Sequence, residues 1–201
     1  QETCTKTITI NDTEAPSITC PSDLTLECVD GADYVAQINA WIATASASDD
    51  CDQSVAITTN YDGSVPALSC DLSNGLSVVF TATDDCGNTA ECTRVVYLDD
   101  TAAPTIADIE DYTLEGCNAE WPASLSTTWT DNCAAGGDII SDEGGAITTS
   151  ADGYTQSRVY TFNVSDGCNN SDVETTTVTK INTPLADAPD NVAACDAYVL
   201  P

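Results

Sequence analysis

At 201 residues the chain has room for one large domain or for two of about 100 residues. Its 33 Asp and Glu face only four Lys and Arg, and the net charge of −29 repels phosphate backbones and anionic membrane faces, which excludes nucleic acid and lipid headgroups as partners. It has no His and no Cys-x-x-Cys pair, so closed zinc sites and His-assisted Ser or Cys nucleophiles are excluded as well.

Acidity of this degree can signal disorder, yet 42% hydrophobic content, seven Tyr, three Trp and period-2 patterning supply enough apolar surface for folded cores. Eleven Cys in so short a chain point to an oxidising compartment, hence to an exported, extracellular or cell-surface protein whose small cores are stapled by disulfides. No apolar run reaches the roughly 18 residues of a membrane span, so no membrane insertion is expected, and no signal segment opens the chain. The simplest expectation is an internal piece of a longer precursor, or a processed product.

From the N-terminus, residues 4–16 read Cys-Thr-Lys-Thr-Ile-Thr-Ile-Asn-Asp-Thr-Glu-Ala-Pro, a strand running into an acidic, Pro-terminated linker. Residues 92–104, Cys-Thr-Arg-Val-Val-Tyr-Leu-Asp-Asp-Thr-Ala-Ala-Pro, match them at a constant offset of 88, and residues 173–184 form a third, shorter copy. Each copy closes one unit and opens the next. After the linkers come Asp-Leu-Thr-Leu-Glu-Cys, ending at Cys28, then Asp-Tyr-Thr-Leu-Glu-Gly-Cys, ending at Cys117, then a fainter version ending at Cys195. The expected division is residues 1–13 as the C-terminal strand of a preceding module, 14–101 as module one, 102–183 as module two and 184–201 as the start of a following module.

Within a module the pattern is all β. Residues 34–47, Ala-rich around Trp41, are the one ambiguous segment, compatible with a short helix or a buried strand. Val78, Phe80 and Ala82 alternate with Val79, Thr81 and Thr83, and Tyr160, Phe162 and Val164 repeat that inward face 82 residues later. Several short strands per module, with Gly, Asn and Asp in the turns, predict a two-sheet sandwich with Greek-key connections.

The repeats also constrain the cysteines. Cys20 and Cys92 are both missing from module two, where Asp108 and Glu174 stand, and are therefore paired with each other. Cys51 and Cys86 recur as Cys133 and Cys168 with the same spacing of 35, each behind a dipeptide that begins with Asp, which pairs them within each module. Cys28 is left with Cys70, and Cys117 is the odd one out. Cys4 is the counterpart of Cys92, and Cys195 that of Cys28. Their partners are expected before residue 1 and after residue 201 or on neighbouring copies, with free thiols as the alternative.

Phe-Thr-Ala-Thr-Asp-Asp-Cys-Gly-Asn-Thr-Ala-Glu-Cys followed by Asp-Asp-Thr-Ala-Ala-Pro-Thr-Ile, with Ile-Thr-Cys-Pro and Ala-Ser-Asp-Asp-Cys upstream, resembles the hyalin-repeat-like, immunoglobulin-like modules of very large Bacteroidetes cell-surface proteins. Gliding-motility adhesins and other substrates of the type IX secretion system carry such modules in tandem. The likeness covers nearly the whole chain. Module two departs from it in lacking counterparts of Cys20 and Cys92 and in reading Asn-Asn-Ser for Gly-Asn-Thr. The resemblance implies tandem immunoglobulin-like β-sandwiches, a stalk or filament segment of a surface adhesin, and no catalytic residues. Its partners would be neighbouring modules of one long chain, with surface polysaccharide or another cell as the adhesive target. The alternative is a self-assembling fibre subunit whose terminal strands complete neighbouring copies.

Enzyme chemistry is not expected, because the acids sit at repeated loop positions rather than in one singular site. No cofactor is certain, and Ca²⁺ is the candidate. Asp12, Asp99 and Asp100 lie in linkers similar to the acidic junctions of cadherin-type domains, and Asp49, Asp50, Asp84 and Asp85 flank an expected disulfide at one domain end. The competing reading makes these residues turn formers on a solvated surface, and the lack of a complete calcium loop favours it. Thr101, in Asp-Thr-Ala, resembles the acceptor of Bacteroidetes O-glycosylation. The three Trp do not occupy equivalent positions and are read as packing residues.

Overall fold

The computed structural model describes residues 3–7, 11–115 and 119–181. The expectations for Cys117, Cys195 and the following module at 184–201 lie outside these residues. The described chain is all β with one short helix, and it divides into two units, Gln1–Thr101 and Ala102–Pro201.

Unit one contains β1 (Ser17–Thr19), β2 (Leu24–Glu27), α1 (Tyr34–Ile42), β3 (Ser46–Ser48), β4 (Ala56–Thr59), β5 (Leu76–Thr83) and β6 (Thr89–Asp99). β1 and β3 pair antiparallel, and the second sheet runs β2-β6-β5-β4. Its first and last strands are parallel, with Leu24 opposite Val96 and Leu26 opposite Leu98. The ambiguous segment resolves into helix and strand together. Asp33 caps α1 by accepting a hydrogen bond from Ala36 N at 2.9 Å, and the chain returns to β3 after the helix ends. Leu26, Ile38, Val78, Phe80, Val96 and Leu98 form the core, with Ala82 also fully buried. Trp41 meets Phe80 edge to face at 5.4 Å and donates its Nε1–H to Ser22 O at 2.9 Å, so this Trp is a packing residue with its polar end satisfied.

Unit two contains β7 (Thr105–Ile106), β8 (Tyr112–Leu114), β9 (Ser126–Thr130), β10 (Gly137–Ile140), β11 (Thr148–Thr149), β12 (Thr155–Ser165) and β13 (Ser171–Ile181). Its sheets run β10-β9-β7 and β11-β12-β13-β8. The parallel closure recurs, with Tyr112 opposite Val178 and Leu114 opposite Lys180. Ile106, Tyr160, Phe162, Thr176 and Val178 are buried, whereas Val164 at the end of β12 is only half-buried. Burial of Tyr160 is offset by its hydroxyl, which donates to Pro122 O at 2.6 Å, and Thr176 likewise donates to Glu110 O at 3.2 Å.

Cys20 and Cys92 are joined by a disulfide spanning 72 residues, which ties the approach to β2 to the middle of β6. Arg94 reinforces this junction by donating from Nε to Pro21 O at 2.6 Å. Cys28, Cys70, Cys133 and Cys168 are also disulfide-bonded. The bridge expected between Cys51 and Cys86 is not formed here, and both are exposed free thiols. The Cys51 sulfur lies instead within 4.8 Å of carboxylate oxygens of Asp12 and Asp49.

Candidate functional site

Four loops of the two units are built by the same device. In unit one, Asp49 Oδ1 accepts from Cys51 N at 2.8 Å and Asp52 N at 3.1 Å. Asp84 Oδ1 accepts from Cys86 N at 2.9 Å and Asn88 N at 2.8 Å, while its Oδ2 takes Asn88 Nδ2 at 2.7 Å. In unit two, Asp131 Oδ1 accepts from Cys133 N at 2.8 Å and Ala134 N at 2.7 Å. Asp166 holds Cys168 N at 2.7 Å, Asn170 N at 2.9 Å and Asn170 Nδ2 at 2.8 Å. The first residue of each dipeptide before Cys is therefore the turn former. Left-handed backbone follows the cysteine in both hairpins, at Gly87 (φ 88°) and at Asn169 (φ 68°), and Asn is the side chain that tolerates it best. The exchange of Gly-Asn-Thr for Asn-Asn-Ser thus preserves the turn.

Burial works against ionisation of Asp84 and Asp166, but the hydrogen bonds from Asn88 and Asn170 and from the turn amides outweigh it and hold both carboxyls below their ordinary range. Asp71 is lowered to about 2 by hydrogen bonds from Ser73 and Ser69.

The acids of the first loop of unit one converge with its entry segment. A carboxylate oxygen of Asp12, one of Asp49 and the Cys51 sulfur lie within 4.8 Å of one another. They border a cavity of about 180 Å³ together with Glu14, Ser48 and Asp50. Asp12, then burial, then Asp49, push the Cys51 thiol up from its ordinary value. The oxygen donors suit a hard cation such as Ca²⁺, and the thiol does not. In unit two, Asp131 and Asp166 bring carboxylate oxygens within 4.8 Å of each other, and Asp131 Oδ2 is buried with no hydrogen-bond partner.

The predicted acidic set is thereby divided. Asp12, Asp49 and Asp50 come together, with Glu14 as a member the sequence reading missed. Both carboxylate oxygens of Asp84 are committed to the turn, and Asp85 uses its backbone N–H to reach Asp52 Oδ2 at 3.1 Å. Asp99 and Asp100 sit at the other end of β6, where Asp99 Oδ1 accepts from Asp100 N at 2.9 Å and Asp100 is buried. Thr101 is exposed, with its N–H and its hydroxyl each donating to Glu27 at 2.9 Å, so the expected sugar acceptor is tied to the strand beside it.

Two further residues were legible and overlooked. Asp23 Oδ1 accepts from Val95 N at 3.0 Å, and Asp111 Oδ1 accepts from Thr177 N at 2.6 Å. They are the first residues of the repeated Asp-Leu-Thr-Leu-Glu and Asp-Tyr-Thr-Leu-Glu motifs, and each clamps the first strand of its sheet to the last.

Among the described residues no helix is long and apolar enough to cross a membrane. No protein-family profile matches the chain, and no curated protein matches it in sequence.

Proposed function

We propose that the chain is a non-catalytic structural segment, a stalk or spacer built from tandem immunoglobulin-like β-sandwich modules in an extracellular bacterial surface adhesin or filament. The observation that carries this reading is the parallel pairing of the first and last strands of the larger sheet in both units. A chain that opens and closes the larger sheet of a module on parallel neighbours enters that sheet at one end and leaves it at the other, which is the connectivity a linear array requires. Pulling on such a module shears the pair, so several hydrogen bonds must break together. The disulfides fit an oxidising extracellular setting. The polar, repeated use of the acids as turn formers supports a structural role rather than a reactive one.

Single-molecule extension of the chain tests it. Because Cys20–Cys92 bypasses 72 residues, unit one stays closed under load while unit two unfolds, and reductant then releases about 240 Å of further length from unit one, in addition to what reduction of the bonded Cys133 and Cys168 frees in unit two. Units that yield before any load is measurable would sink the spacer reading.

A second reading, a self-assembling fibre subunit, is favoured by the exposed free thiol of Cys4 ahead of unit one. It requires a ladder of oligomers in non-reducing denaturing mass analysis that reductant collapses. A single species unaffected by reductant removes it.

A further inference from the structure

Cys51 and Cys86 stand in two loops already hydrogen-bonded to each other through Asp85 N and Asp52 Oδ2, the immediate chain neighbours of the two cysteines. Their counterparts in unit two, Cys133 and Cys168, occupy loops with the same Asp-to-Cys hydrogen bonds and the same spacing, and those are oxidised. One molecule therefore contains the same loop pair in two oxidation states. Unlike Cys133 and Cys168, which are half-buried, Cys51 and Cys86 are exposed and open to a small oxidant.

We propose that Cys51 and Cys86 form a reversible dithiol–disulfide site at the entry end of unit one, closed by a low-molecular-weight disulfide such as oxidised glutathione. Closure moves the Cys51 sulfur from its place within 4.8 Å of the Asp12 and Asp49 carboxylates, so the oxidation state of the pair also changes the surroundings of the linker that carries Asp12. The chemistry proceeds in two exchanges. The Cys86 thiolate attacks one sulfur of the small disulfide and expels a thiolate, giving a mixed disulfide on Cys86. Cys51 then gives its proton to solvent, attacks the Cys86 sulfur and expels the second small thiolate. Two protein thiols lose two electrons in total, and one small disulfide becomes two thiols. The order follows from the surroundings of Cys51, whose sulfur lies within 4.8 Å of carboxylate oxygens of Asp12 and Asp49; these repel the anionic small disulfide and leave the first attack to Cys86.

The full chain is equilibrated in glutathione buffers of rising oxidised fraction, within the range in which the Cys20–Cys92 peptide stays linked. It is then alkylated and mapped by mass spectrometry. In reducing buffer Cys51 and Cys86 are both alkylated, and in oxidising buffer a Cys51–Cys86 linked peptide replaces them and disappears again on return. The Cys51→Ser variant stops with one glutathione on Cys86, whereas Cys86→Ser leaves Cys51 slow to react. Closure raises the melting temperature of unit one by on the order of 10 °C. Separate glutathione adducts on both cysteines, links from either to Cys4, or a Cys51→Ser variant whose Cys86 stays unmodified would overturn the proposal.

Discussion

Units one and two share a parallel closure and a long antiparallel hairpin but hold them by different means. Unit one has Cys20–Cys92 across its parallel closure, a helix that adds Ile38 and Trp41 to the core, and β5 and β6 paired over the eight residues of β5. Unit two has Asp108 and Glu174 where that disulfide would be, and its β12 and β13 are both 11 residues long and paired throughout. A covalent staple in one module and a longer hydrogen-bonded hairpin in the other support the same parallel closure, while the strand after the first cysteine loop joins the larger sheet in unit one and the smaller sheet in unit two. The closure depends on the turns and the inward apolar face, which the units share, and the staple is interchangeable.

The largest break in that comparison comes from removing the staple. Cys20→Ser lowers the stability of unit one by about 4 kcal/mol, the value for a closed loop of this size, and leaves unit two unchanged. Hydrogen-exchange mass spectrometry, read separately on peptides of each unit, measures both. The reciprocal change, Asp108→Cys with Glu174→Cys, stabilises unit two by about 3 kcal/mol and narrows the difference between the two exchange profiles. Next come the shared clamps: Asp23→Ala and Asp111→Ala each cost about 1–2 kcal/mol in their own unit by leaving the Val95 or Thr177 amide without its acceptor. A loss confined to one unit would show that the repeated motif does not do the same work in both.

Acid sharpens the comparison further. Carboxyls held below their ordinary value of 3.8 contribute stability that is present above that pH and is lost as pH falls through the folded value. Asp84→Ala in unit one and Asp166→Ala in unit two therefore flatten the acid limb of their own unit's melting curve below pH 3.8. Unit one retains a component to about pH 2, from Asp71 with Ser69 and Ser73. The smallest effect expected is from Ca²⁺: millimolar Ca²⁺ added to EDTA-treated chain raises the melting temperature slightly, and Asp12→Asn with Asp49→Asn abolishes the part that belongs to unit one. No shift at all would remove a cation from the account of these carboxylates.

Much of this frame was legible in the sequence. The alternation through Val78, Phe80 and Ala82 predicted the buried face of β5, and the 82-residue echo at Tyr160 and Phe162 did the same for β12. The paired absence of Cys20 and Cys92 from module two pointed to the disulfide that is present. Residues 34–47 resisted because an apolar, Ala-rich run satisfies both periods, and the deciding signal was the single capping Asp33. The candidate site was harder to read. Spacing identified the cysteine loops, but the neighbour of the Cys51 sulfur, Asp12, lies 39 positions earlier and is brought within 4.8 Å of it only by the fold. The same holds for Glu14, whose place beside Asp49 and Asp50 no local pattern announces.

The pairing of first strand with last has a consequence for the order of folding. In unit one the β5–β6 hairpin can form from neighbouring sequence, whereas β2 waits with an unpaired edge until residues 96–99 are available to it. A chain emerging N-terminus first from a ribosome or an export channel would thus complete each module only when that module's final strand arrives, and would do so before the next module has any strands to offer. Successive modules with similar sequences are most at risk of pairing with one another while unfinished. Late closure by the last strand confines that risk to one module at a time.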